Sequence, residues 1–136
     1  MTANAGYTWV LTRVELVLSS PELDPDDVTR RLGLQPTGAL RPGPRRWNPG
    51  DTSGYWGFEN SERSARSLRE QLDEVLSAAE SCLGPLREIL REGVEASVTI
   101  HGYADNDSEI VFSPTEMDRM ARLGIPLVLS PSLNER

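Results

Sequence analysis

Lysine is absent from the chain, so all 14 of its basic residues are arginines. Without lysine there is no phosphate-binding loop of the Gly-Lys-Ser/Thr type, and the glycines at 38, 43, 50 and 54 do not have its spacing. The exclusive use of arginine fits a GC-rich bacterial coding bias, and it supplies planar forks suited to carboxylate or phosphate where lysine would offer point charges. Cysteine and histidine occur once each, as Cys82 and His101. A lone cysteine forms no internal disulfide, and the two residues together cannot build a typical structural zinc site. Neither a metal nor a cofactor is expected. Long apolar runs are also missing: YTWVLTRVELVL is broken by Arg13 and Glu15 and follows no basic leader, so it is expected to be neither signal peptide nor membrane span. A cytoplasmic protein is the expectation. Basic charge is outnumbered, with 21 acidic residues and a net charge of −7. That balance opposes a phosphate backbone, whose binding rests on converging cations, so no nucleic acid is expected as a partner, and with no spanning segment no membrane either.

The 136 residues, 38% hydrophobic and 26% charged, can bury a core. One α+β domain over residues 1–136 is expected, with a flexible N-terminus (1–6) and a C-terminal tail (131–136). TWVLTRVELVLS alternates, which predicts a long strand with Val10, Thr12, Val14, Leu16 and Leu18 on one face and Trp9, Arg13 and Glu15 on the other. LDPDDVTRRLG predicts a short helix capped by Asp24, led by Pro25, with Asp27 completing a capping-box-like pattern and Gly33 as the stop. GYWGFEN reads as a strand. From Ala65 to Leu90 apolar residues recur at helical spacing, with Gly84-Pro85 predicting a kink or a second helix over 85–92. VEASVTIHGY alternates again and is expected to pair with EIVFS as a hairpin. A helix opening at Ser113-Pro114 and closing at Gly124, then the strand IPLVLS, complete the pattern. ELVLSSPELDPDDVTRRLGL and EIVFSPTEMDRMARLGI look alike, as two related βα units or as two uses of one capping grammar. The expected architecture is ferredoxin-like: one mainly antiparallel sheet with helices packed on one face.

Few residues carry candidate chemistry. His101 lies on the polar face of its strand, with Thr99 and Tyr103 beside it and Asp105 and Asp107 beyond. It is either a surface histidine or a general base oriented by a carboxylate. Cys82 belongs to an apolar helical stripe, where a thiol is inert. Asp105, Asp107, Glu109 and Glu116 fall at the first, third, fifth and twelfth places of a calcium loop, but Ile110 stands where its glycine must turn, so no calcium site is expected. LRPGPRRWNPGDTSGYW, residues 40–56, concentrates arginine, proline, glycine and aromatics. Three readings remain open: an Arg–aromatic brace, a small-anion site gripped by Arg41, Arg45 and Arg46, or a partner-binding face that uses Trp47, Tyr55 and Trp56.

LDPDDVTRRLGLQPT, RPG, RRW, SGYW and the closing RLGIPLVLS together resemble a bacterial domain family known only as a domain of unknown function, over residues 10–130. The resemblance implies no catalytic residue set, and it implies protein binding of the immunity type. The expected function is therefore a non-enzymatic domain that binds a protein partner. The alternatives are binding of a small anion or, third, a hydrolase-like role for His101.

Overall fold

The computed structural model describes residues 7–45, 50–59, 67–105 and 107–133. Their elements are β1 (Tyr7–Thr8), β2 (Val10–Ser20), α1 (Pro25–Leu32), β3 (Gly38–Leu40), β4 (Gly54–Glu59), α2 (Leu68–Ser81), α3 (Leu83–Arg91), β5 (Glu95–Ala104), β6 (Ser108–Glu109), α4 (Pro114–Leu123) and β7 (Leu127–Leu133). This is an α+β domain with a five-stranded mixed sheet in the order β3-β4-β2-β5-β7. The pairs within it are antiparallel except β5 with β7, which are parallel and joined through α4.

Alternation along the central strands sets the layers. Val14, Leu16 and Leu18 of β2, Trp56 of β4, and Val98 and Ile100 of β5 form one core with Val28 and Leu32 of α1, Leu72, Val75, Leu76 and Ala79 of α2, Leu86 and Ile89 of α3, and Met120 and Leu123 of α4. The helices thus pack on one face, as alternation and helical periodicity predict. Cys82 is buried between α2 and α3, and burial pushes its thiol up from the usual cysteine value. The helix break falls at Cys82 rather than at Gly84, and Pro85 sits in the first turn of α3, where its missing N–H leaves no bond unmade.

The helix ends obey their local chemistry. Asp24 caps α1 by accepting from Asp26 N–H, and Gly33 closes it at φ 71°. Asp27 closes no capping box and instead pairs with Arg30 and Arg31. Ser67 with Glu70, and Ser113 with Glu116, form full capping boxes on α2 and α4, and Gly124 ends α4 at φ 73°. The two look-alike segments therefore share a Pro-led, Gly-ended helix. Their strands differ.

Three expectations are corrected. EIVFS forms no hairpin with β5, because a strand has two edges and those of β5 are taken by β2 and β7; only Ser108–Glu109 is extended, paired with Tyr7–Thr8. On β2, the register shifts between Val10 and Arg13, so two residues there, 11 and 12, face the single Gly102 on β5. Such a bulge turns Val10 onto the polar face beside Tyr103 and lets Trp9 pack against the core, the reverse of strict alternation. At the far end β7 continues to Leu133, so residues 131–133 are strand. The terminal stretches 1–6 and 134–136 lie outside the described residues.

Both sheet edges carry proline. β3 spans three residues between Pro36 and Pro42. On β7, Val98 N–H donates to the Pro126 carbonyl at 3.0 Å, and the alternation of a parallel ladder then turns the backbone of residues 127, 129, 131 and 133 away from β5. Pro131 thus removes a donor from the free edge, a known obstacle to strand addition. Among the described residues no helix is long and apolar enough to cross a membrane.

Candidate functional site

Opposite the helices, register gathers the odd-numbered residues of β2, β4 and β5. Glu15 faces Glu59 on one side and Thr99 on the other, and Arg13 faces His101. Two carboxylates set side by side need compensation. Arg13 reaches Glu59 at 3.3 Å, and His101 Nε2 lies 3.5 Å from Glu15 Oε1, a polar contact too poorly aligned to count as a hydrogen bond. Tyr55 donates its hydroxyl to Glu15 Oε2, and burial together with that carboxylate pushes the phenol above its ordinary value. Gly57 makes this possible, because a side chain there would occupy the space taken by the Tyr55 hydroxyl and the Glu15 carboxylate. Glu15 and Glu59 are each only 7% exposed. The cluster is therefore a buried network more than an open cleft, and in it His101 Nε2 makes no hydrogen bond among the described residues.

His101 and Tyr55, both singled out in the sequence, meet through Glu15 in place of the expected Asp105 or Asp107. Those two are exposed, as is Glu109, while Glu116 caps α4. Glu15 escaped notice because its partnership depends on strand register, which no local pattern reports.

The arginine loop goes its own way. Arg45 donates to the carbonyls of Gly43 and Ser53, bracing the turn through its backbone. Arg41 turns to Asp24 and Asp26 at the start of α1. Arg46 and Trp47 lie outside the described residues. Trp56 is corrected from binding residue to core: alternation points it at the helices, it is fully buried, and its indole N–H donates to Thr29 Oγ1 at 3.0 Å. Three grooves formed by described residues are lined by neither His101 nor these arginines.

A second feature lay beyond the sequence reading. Among the described residues eight large apolar side chains are exposed, and five of them stand on β7 or near it: Val10, Tyr103 and Val128 on the face away from the helices, Leu129 and Leu133 on the helical face. Val10 is opposite Tyr103 on the open face, and Val128 stands on that face as the partner of Thr99, with His101 and Ser130 between. Leu129 and Leu133 pair with Ile100 and Ala104, so they project from the helical face of the edge strand. Tyr103 is 45% exposed and Leu133 74%.

No curated protein and no solved structure matches the chain at a significant level. One family model does match it, across residues 10–134, nearly the whole described fold. The family's description names no activity. The chain belongs to the family described as Domain of unknown function (DUF4279).

Proposed function

We propose that this domain is a non-enzymatic, cytoplasmic binding module, regulatory or immunity-type in role, that docks a protein partner on the β7 side of its sheet. One observation carries the reading: the edge strand β7 has no charged residue in a chain that is 26% charged, and it exposes Leu129 and Leu133 on one side of the sheet and Val128 on the other, beside the exposed pair Val10 and Tyr103. Tyrosine beside aliphatic residues, rimmed by polar groups, is the composition of a binding hot spot. The Glu15–Tyr55–His101 network stiffens the open face on which Tyr103 and Val128 stand. Proline at both sheet edges disfavours capture by strand addition, so recognition falls to side chains.

The test is a pull-down with the full chain against a Tyr103→Ala, Leu129→Ser variant. Both positions are exposed, so the melting temperature should move by no more than a degree or two, the usual size for surface changes. A specific partner retained by the wild type should disappear. A partner held equally well by the variant would refute the surface.

A further inference from the structure

A buried polar atom on the open face of the sheet has nothing to bond. His101 Nε2 is shut away from solvent and makes no hydrogen bond among the described residues, although it lies 3.5 Å from Glu15 Oε1. Such atoms are rare in folded chains and call for a physical reason. Glu15 lacks the complementary group. It is buried, the Tyr55 hydroxyl donates to its Oε2, and among the described residues no arginine comes within ion-pair distance of it. Arg13, the register partner of His101, turns to Glu59 at 3.3 Å instead. The charged or titratable groups around the ring are therefore Glu15 and Arg13 of β2, Tyr55 and Glu59 of β4, and Tyr103 on its own strand. From the other side β7 brings only Val128, Ser130 and Ser132, and the helices pack on the far face of the sheet.

We propose that His101 is a proton-operated latch on Glu15. Protonated, the ring closes onto Oε1 through Nε2–H and gives Glu15 its cation; neutral, it stands off and leaves the carboxylate to the Tyr55 hydroxyl. Histidine is the side chain whose charge ordinarily changes between about pH 5 and 8, and the chain has a single one. A neutral ring keeps one nitrogen free to take a proton, and in the protonated ring both nitrogens donate. The proton comes from solvent, because the side chain is 32% exposed although Nε2 itself is covered. A charge-assisted N–H···O bond closes to about 2.8 Å, so shutting the latch takes a shift of under about 1 Å from the 3.5 Å contact. Arg13 opposes a second cation beside it, but its own charge is taken up by Glu59, whereas Glu15 faces the ring directly. Closed, the latch ties three strands across the open face, from Tyr55 of β4 through Glu15 of β2 to His101 of β5. It is a property of the chain alone and does not rest on the docking surface proposed above.

The test follows the full wild-type chain by NMR from about pH 8 to 5. Multiple-bond proton–nitrogen spectra read both ring nitrogens of the single histidine, and carbon detection reads the Glu15 carboxyl. As the ring takes its proton, the Glu15 carboxyl carbon and the Tyr55 ring signals should move along the same curve. An Nε2–H signal, ordinarily lost to exchange with water, should appear with them. In His101→Gln the Glu15 and Tyr55 curves should go flat over this range. In Glu15→Gln the ring should still titrate, with its Nε2–H signal lost again. Circular dichroism verifies that both variants fold, and the wild-type curves decide the matter should Glu15→Gln not. Three results would overturn the latch: a ring that titrates while Glu15 and Tyr55 stay still, Glu15 and Tyr55 curves that persist in His101→Gln, or an Nε2–H signal untouched by Glu15→Gln.

Discussion

Gly57 is bare so that Tyr55 can fold back over it to reach Glu15. Replacing it with alanine should lower stability by about 1–3 kcal/mol, the range for overfilling a packed site, and release the Tyr55 phenol toward its ordinary titration. Ultraviolet titration at the tyrosinate band checks the second effect. The wild type carries a matching signature in alkali. Because the folded state raises the phenol above its ordinary value of 10.0, the stabilisation it gives is complete below that pH and is lost as pH climbs past it. Cys82, raised by burial, acts with the same sign. Thermal stability should therefore fall above pH 10, and Tyr55→Phe should flatten part of that fall while leaving the share due to Cys82. An unchanged slope would mean that the hydroxyl is free. At this scale the sequence was half legible. His101 and Tyr55 stood out by type and alternation, whereas Glu15 looked like one more polar residue until register set it between them.

Helices were the most readable elements, because caps, first-turn prolines and closing glycines act within a few residues of themselves. The stripe of Leu72, Val75, Leu76 and Ala79 faces the sheet, and Leu72→Ala should destabilise by about 2–5 kcal/mol in denaturant titration. A loss under about half a kilocalorie, typical of a surface site, would contradict that packing. Arg119 ties α4 to α2 through Asp73, Ser77 and Glu80, and holds the Glu80 carboxyl below its ordinary value. Strands were harder, since pairing is settled by distant segments. The loss of the EIVFS hairpin follows from competition for the edges of β5, and the bulge after Val10 shows only in the pairing of β2 with β5. Uncharged LVLSPSL gave no alternating signal to separate strand from tail. Its Pro131 faces outward, so Pro131→Val should restore an edge donor and raise sheet-to-sheet association, seen as concentration-dependent growth in light scattering. A variant as monodisperse as the wild type would show that the edge needs no such guard.

At the scale of the whole molecule, composition foretold an acidic α+β domain, but the placement of charge came only with the fold. Arg45 and Arg41, two of the arginines that looked like an anion site in the chain, are spent on carbonyls and on α1, while the uncharged strand β7 lies at the opposite edge of the sheet. That separation is the basis for assigning docking to β7. Site-specific photo-cross-linking in the cells that make the protein tests it most directly. Benzoylphenylalanine replaces Tyr103 or Leu129 in turn, and Met117, exposed on the outer face of α4, serves as the control. The account predicts that one and the same protein is captured from positions 103 and 129 and not from 117. Capture at 117 alone, or equally at all three, would contradict a docking surface on the β7 side.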